Sequence, residues 1–147
     1  MDASRAAQVM EALHQLYPEA KPELHFANPF ETLIATILSA QCTDKRVNMV
    51  TARLFPQYPD AFAMAKLEPE ELEPLIRECG LYHNKAKNIV AASRALVAQY
   101  DGKVPSTRKE LMALPGVGQK TAGVVLLAAF GDKANKYMLF ILLNIYY

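Results

Sequence analysis

The sequence predicts an all-α fold. Three observations predict it: apolar residues recur at three- and four-residue spacing along most of the chain, caps and breakers punctuate those stripes, and no stretch alternates as a half-buried strand does. At 147 residues and 52% hydrophobic content the chain can bury a sizeable core in one domain.

Taken in order, Val9, Met10, Leu13, Leu16 and Tyr17 give a first amphipathic helix that Pro18 and Pro22 end. Asn28 as cap, Pro29 at the first helical position and Glu31 behind it start a second, with Phe30, Leu33, Ile34, Ile37 and Leu38 facing inward. Thr43 or Asp44 caps a third, whose buried side is Val47, Val50 and Leu54 and which ends before Pro56. Asp60 and Pro69 open two short helices. Pro74 lies inside the second of these, where it removes a hydrogen bond and shortens or bends the helix, and Gly80 closes the segment. Ala86, Ile89, Val90, Ser93, Leu96, Val97 and Tyr100 mark the longest helix, ended by an Asp101-Gly102 turn. Thr107 and Glu110 form a capping box for a short helix that Pro115 stops.

The next stretch, Leu114-Pro115-Gly116-Val117-Gly118-Gln119-Lys120-Thr121, carries the chemistry. Gly116 and Gly118 can both take positive φ, and neither has a side chain to keep a ligand off the backbone. The N–H groups opening the following helix are therefore accessible to an anion, most naturally a phosphate. Pro-Gly-x-Gly is also ordinary turn chemistry, and taken alone it favours a plain interhelical turn. A P-loop is excluded, because Gln119 and not glycine precedes Lys120 and no strand leads into the loop. Lys120 raises the hairpin above a turn: a lysine in the first turn of an otherwise apolar helix opposes the helix dipole and wants a reason.

Formal net charge is +1, which points to no partner class. Its distribution is more informative, since Glu68, Glu70, Glu71, Glu73 and Glu78 gather in one segment while Lys103, Arg108, Lys109 and Lys120 surround the hairpin. Cys42 and Cys79 are isolated in the sequence, form no CxxC pair and read as reduced thiols of a cytosolic protein. His14, His25 and His83 have no metal-ligand spacing, and no metal site is expected. No signal peptide is visible.

Several linked stretches resemble the helix-hairpin-helix DNA glycosylases, and within them the endonuclease III branch. They run from Asn28-Pro29-Phe30-Glu31 through Leu38-Ser39-Ala40-Gln41-Cys42-Thr43-Asp44 and Gly80-Leu81-Tyr82-His83-Asn84-Lys85-Ala86 to Leu114 through Ala122, ending near Ala129-Phe130-Gly131. The resemblance implies a six-helix barrel carrying the hairpin, and excision of oxidised pyrimidines with cleavage at the abasic site. It also implies a nucleophilic Lys120, a backbone-gripping hairpin at Leu114, Gly116, Val117 and Gly118, and entry of Gln41 and Leu81 into the space left by a flipped nucleotide. On the residues alone, Gln41 is equally a solvated polar residue at a helix exit, and Leu81 reads better as the hydrophobic contact that accompanies a glycine cap. Adenine-mismatch relatives usually lack lysine at the position of Lys120 and fit less well. The implied partner is double-stranded DNA with a damaged base or abasic site, bound by a monomer in the cytoplasm, at the nucleoid, with no membrane contact.

The pattern breaks after Gly131-Asp132-Lys133-Ala134. The family continues into a Val-Asp-Thr-His stretch whose aspartate assists base loss, whereas residues 135–147 form an apolar tail without a carboxylate side chain. A helical domain over 1–134 and an aberrant tail over 135–147 are expected, the tail arising where the reading frame leaves the ancestral gene. The tail's apolar run is shorter than the roughly 20 residues of a membrane span. The family's iron-sulfur cluster needs four cysteines, so no cofactor is expected in this chain. A catalytically inactive DNA-binding module, or a fragment needing a partner chain, is the alternative function.

Overall fold

Residue 8 and residues 27–130 are described by the structure, a computed structural model, and among them the expected caps and breakers produce seven α-helices and one 3-10 turn, with no strand. The stripe from Val9 to Tyr17, Asp132 and the tail over 135–147 lie outside the described residues.

Helix α1 (Pro29–Leu38) starts as its sequence dictates. Asn28 Oδ1 accepts the Glu31 N–H at 2.9 Å, and the Glu31 carboxylate accepts from the Ala27 N–H at 3.2 Å. Eight of its ten residues are buried, which makes it the central element of the fold. Leu33, Ile34 and Leu38 are completely covered, each burial contributing roughly 1.5–3 kcal/mol. Thr32 and Thr36, also buried, return their hydroxyls to carbonyls one turn back, so neither of these hydroxyls is stranded in the core.

Helix α2 (Asp44–Leu54) is capped by Thr43, whose Oγ1 accepts the Arg46 N–H, and it buries Val47, Val50 and Leu54. Asp60 caps α3 (Ala61–Ala65), and a Glu68/Glu71 capping box opens α4 (Pro69–Ile76). Pro74 has the expected shortening effect: α4 ends two residues later and tightens into a 3-10 turn (Arg77–Cys79) that Gly80 terminates at φ 71°. The longest helix, α5 (Tyr82–Tyr100), begins four residues ahead of the apolar stripe that marked it. Its end is the Asp101-Gly102 turn, where the Gly102 N–H reaches the Leu96 carbonyl. Two packing pairs organise the body: α3 and α4 lie along α5, and α7 (Gln119–Phe130) lies along α1. Between them α6 (Arg108–Met112) leads into the hairpin; Thr107 Oγ1 accepts the Glu110 N–H, one half of the expected capping box, and donates to the Glu110 carboxylate at 2.7 Å. No helix of the described residues is long and apolar enough to cross a membrane.

Candidate functional site

The hairpin between α6 and α7 is a type II turn followed by a helix start. Pro115 and Gly116 occupy its two central positions, Gly116 at φ 79°, and the Val117 N–H closes it on the Leu114 carbonyl at 3.2 Å. Leu114 and Val117 turn their side chains into the core, so anything they offer DNA comes from the backbone. The two glycines turn out to differ. Gly116 is required by protein geometry, because a Cβ there would meet the Asn88 side chain at 2.6 Å in a conformation L residues avoid. Gly118 does not use the positive φ open to it, and a Cβ on it would meet nothing within 4 Å. It leaves open space in front of the α7 N-terminus, where the first-turn N–H groups have no intrahelical acceptor.

Lys120 lies in the first turn of α7, partly buried. Burial pushes its amine below the usual lysine range, which increases the neutral, nucleophilic fraction. It lines a cavity of about 550 Å³ with Arg108, Gln119, Gly123, Val124, Leu126 and Leu127. Arg108, counted in the sequence among the surface charges, also braces the hairpin. Its Nη1 donates to the Gln119 carbonyl at 3.0 Å, and the guanidinium lies 3.4 Å from where a Gly123 Cβ would stand.

Gln41 and Leu81 belong to the two chain reversals that follow α1 and the 3-10 turn. Both are exposed, and both are left-handed, Gln41 at φ 53° and Leu81 at φ 47°. Leu81, 55% exposed, is not the buried partner of a glycine cap; that reading is corrected. A second cavity of about 190 Å³ joins Leu81 and Ala40, the neighbour of Gln41, to Gly116 and Thr121 of the hairpin. The Leu81 turn and the hairpin therefore border one space, with Asn84 and Asn88 of α5 on its wall. Lys120 lines the other cavity.

The two cysteines are isolated only in the sequence. In the fold Cys79 is buried beside Cys42, and burial together with that neighbour pushes the Cys79 thiol up to about 12. Both thiols are free. Two cysteines fall short of a four-cysteine cluster. Among the described residues no three His, Cys, Asp or Glu side chains gather as a metal site. These residues do not fit an iron-sulfur cluster.

Lys85, which the sequence reading passed over as part of a longer stretch, is almost fully buried at the start of α5. Its Nζ donates to the carbonyls of Leu38 at 2.9 Å, Ala40 at 2.7 Å and Cys79 at 2.9 Å. The signal that singled out Lys120, a lysine in a helix's first turn, was present here too.

Comparison with known proteins agrees with this geometry. Residues 34–140 match the family model described as HhH-GPD superfamily base excision DNA repair protein. The chain is 52% identical to endonuclease III of Synechocystis over 131 residues, 89% of this chain and 60% of the relative, and 45% identical to that of Escherichia coli K12 over 89% and 62%. In three dimensions it is similar to a trapped endonuclease III–DNA covalent intermediate, with a TM-score of 0.77 and 47% identity over 88% of this chain and 61% of that one. A thermostable thymine-DNA glycosylase gives 0.75 at 28% identity, over 90% and 63%. The chain thus spans about three fifths of the length of the curated relatives it matches. Its all-α fold, its hairpin and these matches together place the chain in the HhH-GPD superfamily of base excision DNA repair proteins.

Proposed function

We propose that this chain binds duplex DNA at abasic sites and oxidised pyrimidines, with Lys120 as the nucleophile, the hairpin as the backbone grip, and Gln41 and Leu81 as the residues that fill the vacated stack. The observation carrying the reading is Lys120 itself: an amine partly desolvated in the first turn of a helix, directly behind an open-faced glycine. The similarity to a trapped endonuclease III–DNA covalent intermediate supports the same chemistry.

The target nucleotide first leaves the stack, because C1′ is shielded in a duplex. On an intact damaged nucleotide, the Lys120 amine attacks C1′ and expels the base, which leaves with a proton; the C1′–O4′ bond of the resulting aminal then breaks, O4′ taking up a proton as the sugar ring opens. On an abasic site it condenses with the open-chain aldehyde, losing water. Both routes give a Schiff base, from which loss of a C2′ proton and departure of the 3′ phosphate break the strand. Expelling a base also demands charge stabilisation and proton handling, for which a carboxylate is suited and which is typically worth about 10²- to 10⁴-fold. Residues 135–147 supply no Asp or Glu. Cleavage at existing abasic sites therefore exceeds release of intact bases.

Borohydride trapping tests the proposal. The full chain should form a covalent complex with abasic duplex DNA, with a yield that rises with pH and reaches half-maximum below 10.5, since burial lowers the Lys120 pKa. Lys120→Ala should abolish the complex, while release of oxidised pyrimidines stays barely measurable. Equal trapping by Lys120→Ala removes the lysine from its role. The absence of a carboxylate over 135–147 also favours a second reading, a module that binds DNA without chemistry; salt-sensitive binding to abasic duplex with no trapping at any pH identifies it.

A further inference from the structure

Lys85 is used by no step above, yet it is one of the most constrained groups in the molecule. An ammonium has three N–H donors and no acceptor. All three are matched by carbonyls at 2.7–2.9 Å, two of them at the exit of α1 and the third at the end of the 3-10 turn. Those carbonyls belong to segments 39 to 41 residues apart in sequence (79 minus 40, 79 minus 38). Each segment runs directly into a strained residue: Ala40 precedes Gln41 at φ 53°, and Cys79 with Gly80 precedes Leu81 at φ 47°. Left-handed backbone is unfavourable for a glutamine or a leucine and persists only where the surroundings hold it. A buried lysine is expensive unless its charge is fully hydrogen-bonded, and here it is. The Leu38 and Ala40 carbonyls also lie at a helix C-terminus, where positive charge is favoured.

We propose that Lys85 is a positioning residue for lesion recognition: by clamping the carbonyls before Gln41 and Leu81 to one ammonium, it fixes the spacing of the two turns so that both residues meet the same gap in the DNA. This rests on the reading, given above, that Gln41 and Leu81 fill the vacated stack. The hairpin touches α5, the helix of Lys85, through Gly116 against Asn88 and is otherwise held by α6, α7 and Arg108, so the clamp acts on discrimination of the lesion and leaves general grip on duplex DNA unchanged.

The test is a double-mutant cycle on the full chain, read by fluorescence anisotropy on two duplexes of one sequence, one undamaged and one carrying a tetrahydrofuran abasic analogue. The quantity is the ratio of the two affinities. Gln41→Ala and Leu81→Ala should each lower it by about tenfold, and Lys85→Met should lower it as much while changing undamaged-duplex affinity by less than about twofold. Adding Gln41→Ala or Leu81→Ala to Lys85→Met should then cost less than about a further twofold, because a residue no longer held has nothing left to lose. A merely structural lysine does not produce that coupling. If Gln41→Ala and Leu81→Ala leave the ratio unchanged in the parent chain, the site reading fails and takes the clamp with it. If they lower it but add fully to Lys85→Met, the site reading stands and the clamp is overturned, as it also is if Lys85→Met weakens both duplexes equally. Should circular dichroism show that Lys85→Met does not fold, Lys85→Gln, which keeps donors for some of the carbonyls, is carried through the same cycle with the same criteria.

Discussion

Two parts of the molecule turn the chain through left-handed backbone, and they do it at different expense. In the hairpin the residue at φ 79° is Gly116, for which that conformation costs almost nothing. In the turns after α1 and the 3-10 segment the residues are Gln41 and Leu81, for which it costs roughly 1–2 kcal/mol each. Asp101, the other non-glycine residue at positive φ among those described, is unexceptional: it ends α5 before Gly102, and aspartate tolerates the region. The hairpin is thus shaped by its own residues, whereas the carbonyls leading into the Gln41 and Leu81 turns are tied to one ammonium, that of Lys85, which lies 45 residues from Ala40 and 6 from Cys79. A local device can be rigid without help; a strained one is as rigid as its clamp.

The largest effect is expected where local geometry leaves no alternative. Gly116→Val introduces a β-branched residue at φ 79° and drives its Cβ into the Asn88 side chain at 2.6 Å. We expect a loss of about 2–4 kcal/mol in urea unfolding. Its DNA binding will fall with it, so that variant tests the turn and says little about phosphate contact. A stability change under about 0.5 kcal/mol would show that the hairpin can rearrange.

Next in size is an alkaline effect confined to the clamped side. The folded state holds the Cys79 proton up to about pH 12, against 9.0 ordinarily. Between those values the folded chain binds more protons than the unfolded one, so the contribution is fully present below pH 9 and is lost as pH rises towards 12, by at most about 1.4 kcal/mol per pH unit. Lys85, pushed down from 10.5 by burial, acts in the opposite sense below 10.5. The Lys85 contribution is common to the parent and Cys79→Ala, so the stability difference between them should narrow as pH rises from 9 towards 12. A pH-independent difference would mean that the Cys79 thiol ionises as readily folded as unfolded.

Legibility in the sequence follows the same division. Asn28, Thr43, Asp60 and Thr107 cap the helices that their side chains promised, because capping is settled within three residues of chain. The positive φ of Gly116 was legible for the same reason. What stayed hidden depended mostly on contacts between distant segments: the meeting of Cys42 with Cys79, the Leu38 and Ala40 carbonyls on Lys85, and the strain at Gln41 and Leu81, neither of which advertises positive φ. Gly118 lies between these cases. Glycine permits positive φ without requiring it, and at this position its use is the space it leaves.

A smaller effect separates strain from function. Replacing Leu81 or Gln41 by Gly relieves roughly 1–2 kcal/mol of left-handed strain but adds about 0.5–1 kcal/mol of unfolded-chain entropy. Both side chains are exposed, so little packing is lost, and the net should be neutral to about 1 kcal/mol stabilising. Affinity for abasic duplex should fall in the same variants. A destabilisation beyond about 1 kcal/mol would show that these side chains support the fold itself, which would erase the contrast with the hairpin.

The smallest effect on stability is expected at Gly118, and it bears most directly on DNA. The residue needs no positive φ, and a Cβ there meets no protein atom within 4 Å, so Gly118→Ala should leave unfolding within about 0.5 kcal/mol of the parent. The methyl group would instead occupy the space in front of the α7 N-terminus, where a phosphate must come close to reach backbone N–H groups. Binding should then weaken to a similar degree on undamaged and abasic duplexes, because a backbone contact carries no information about the lesion. The slope of log affinity against log salt should shrink by about one phosphate's worth, near 0.9. An unchanged slope with unchanged affinity would place the phosphate away from Gly118 and reduce the hairpin to an interhelical turn. A loss restricted to the abasic duplex would put Gly118 with Gln41 and Leu81 on the lesion-reading side of the molecule.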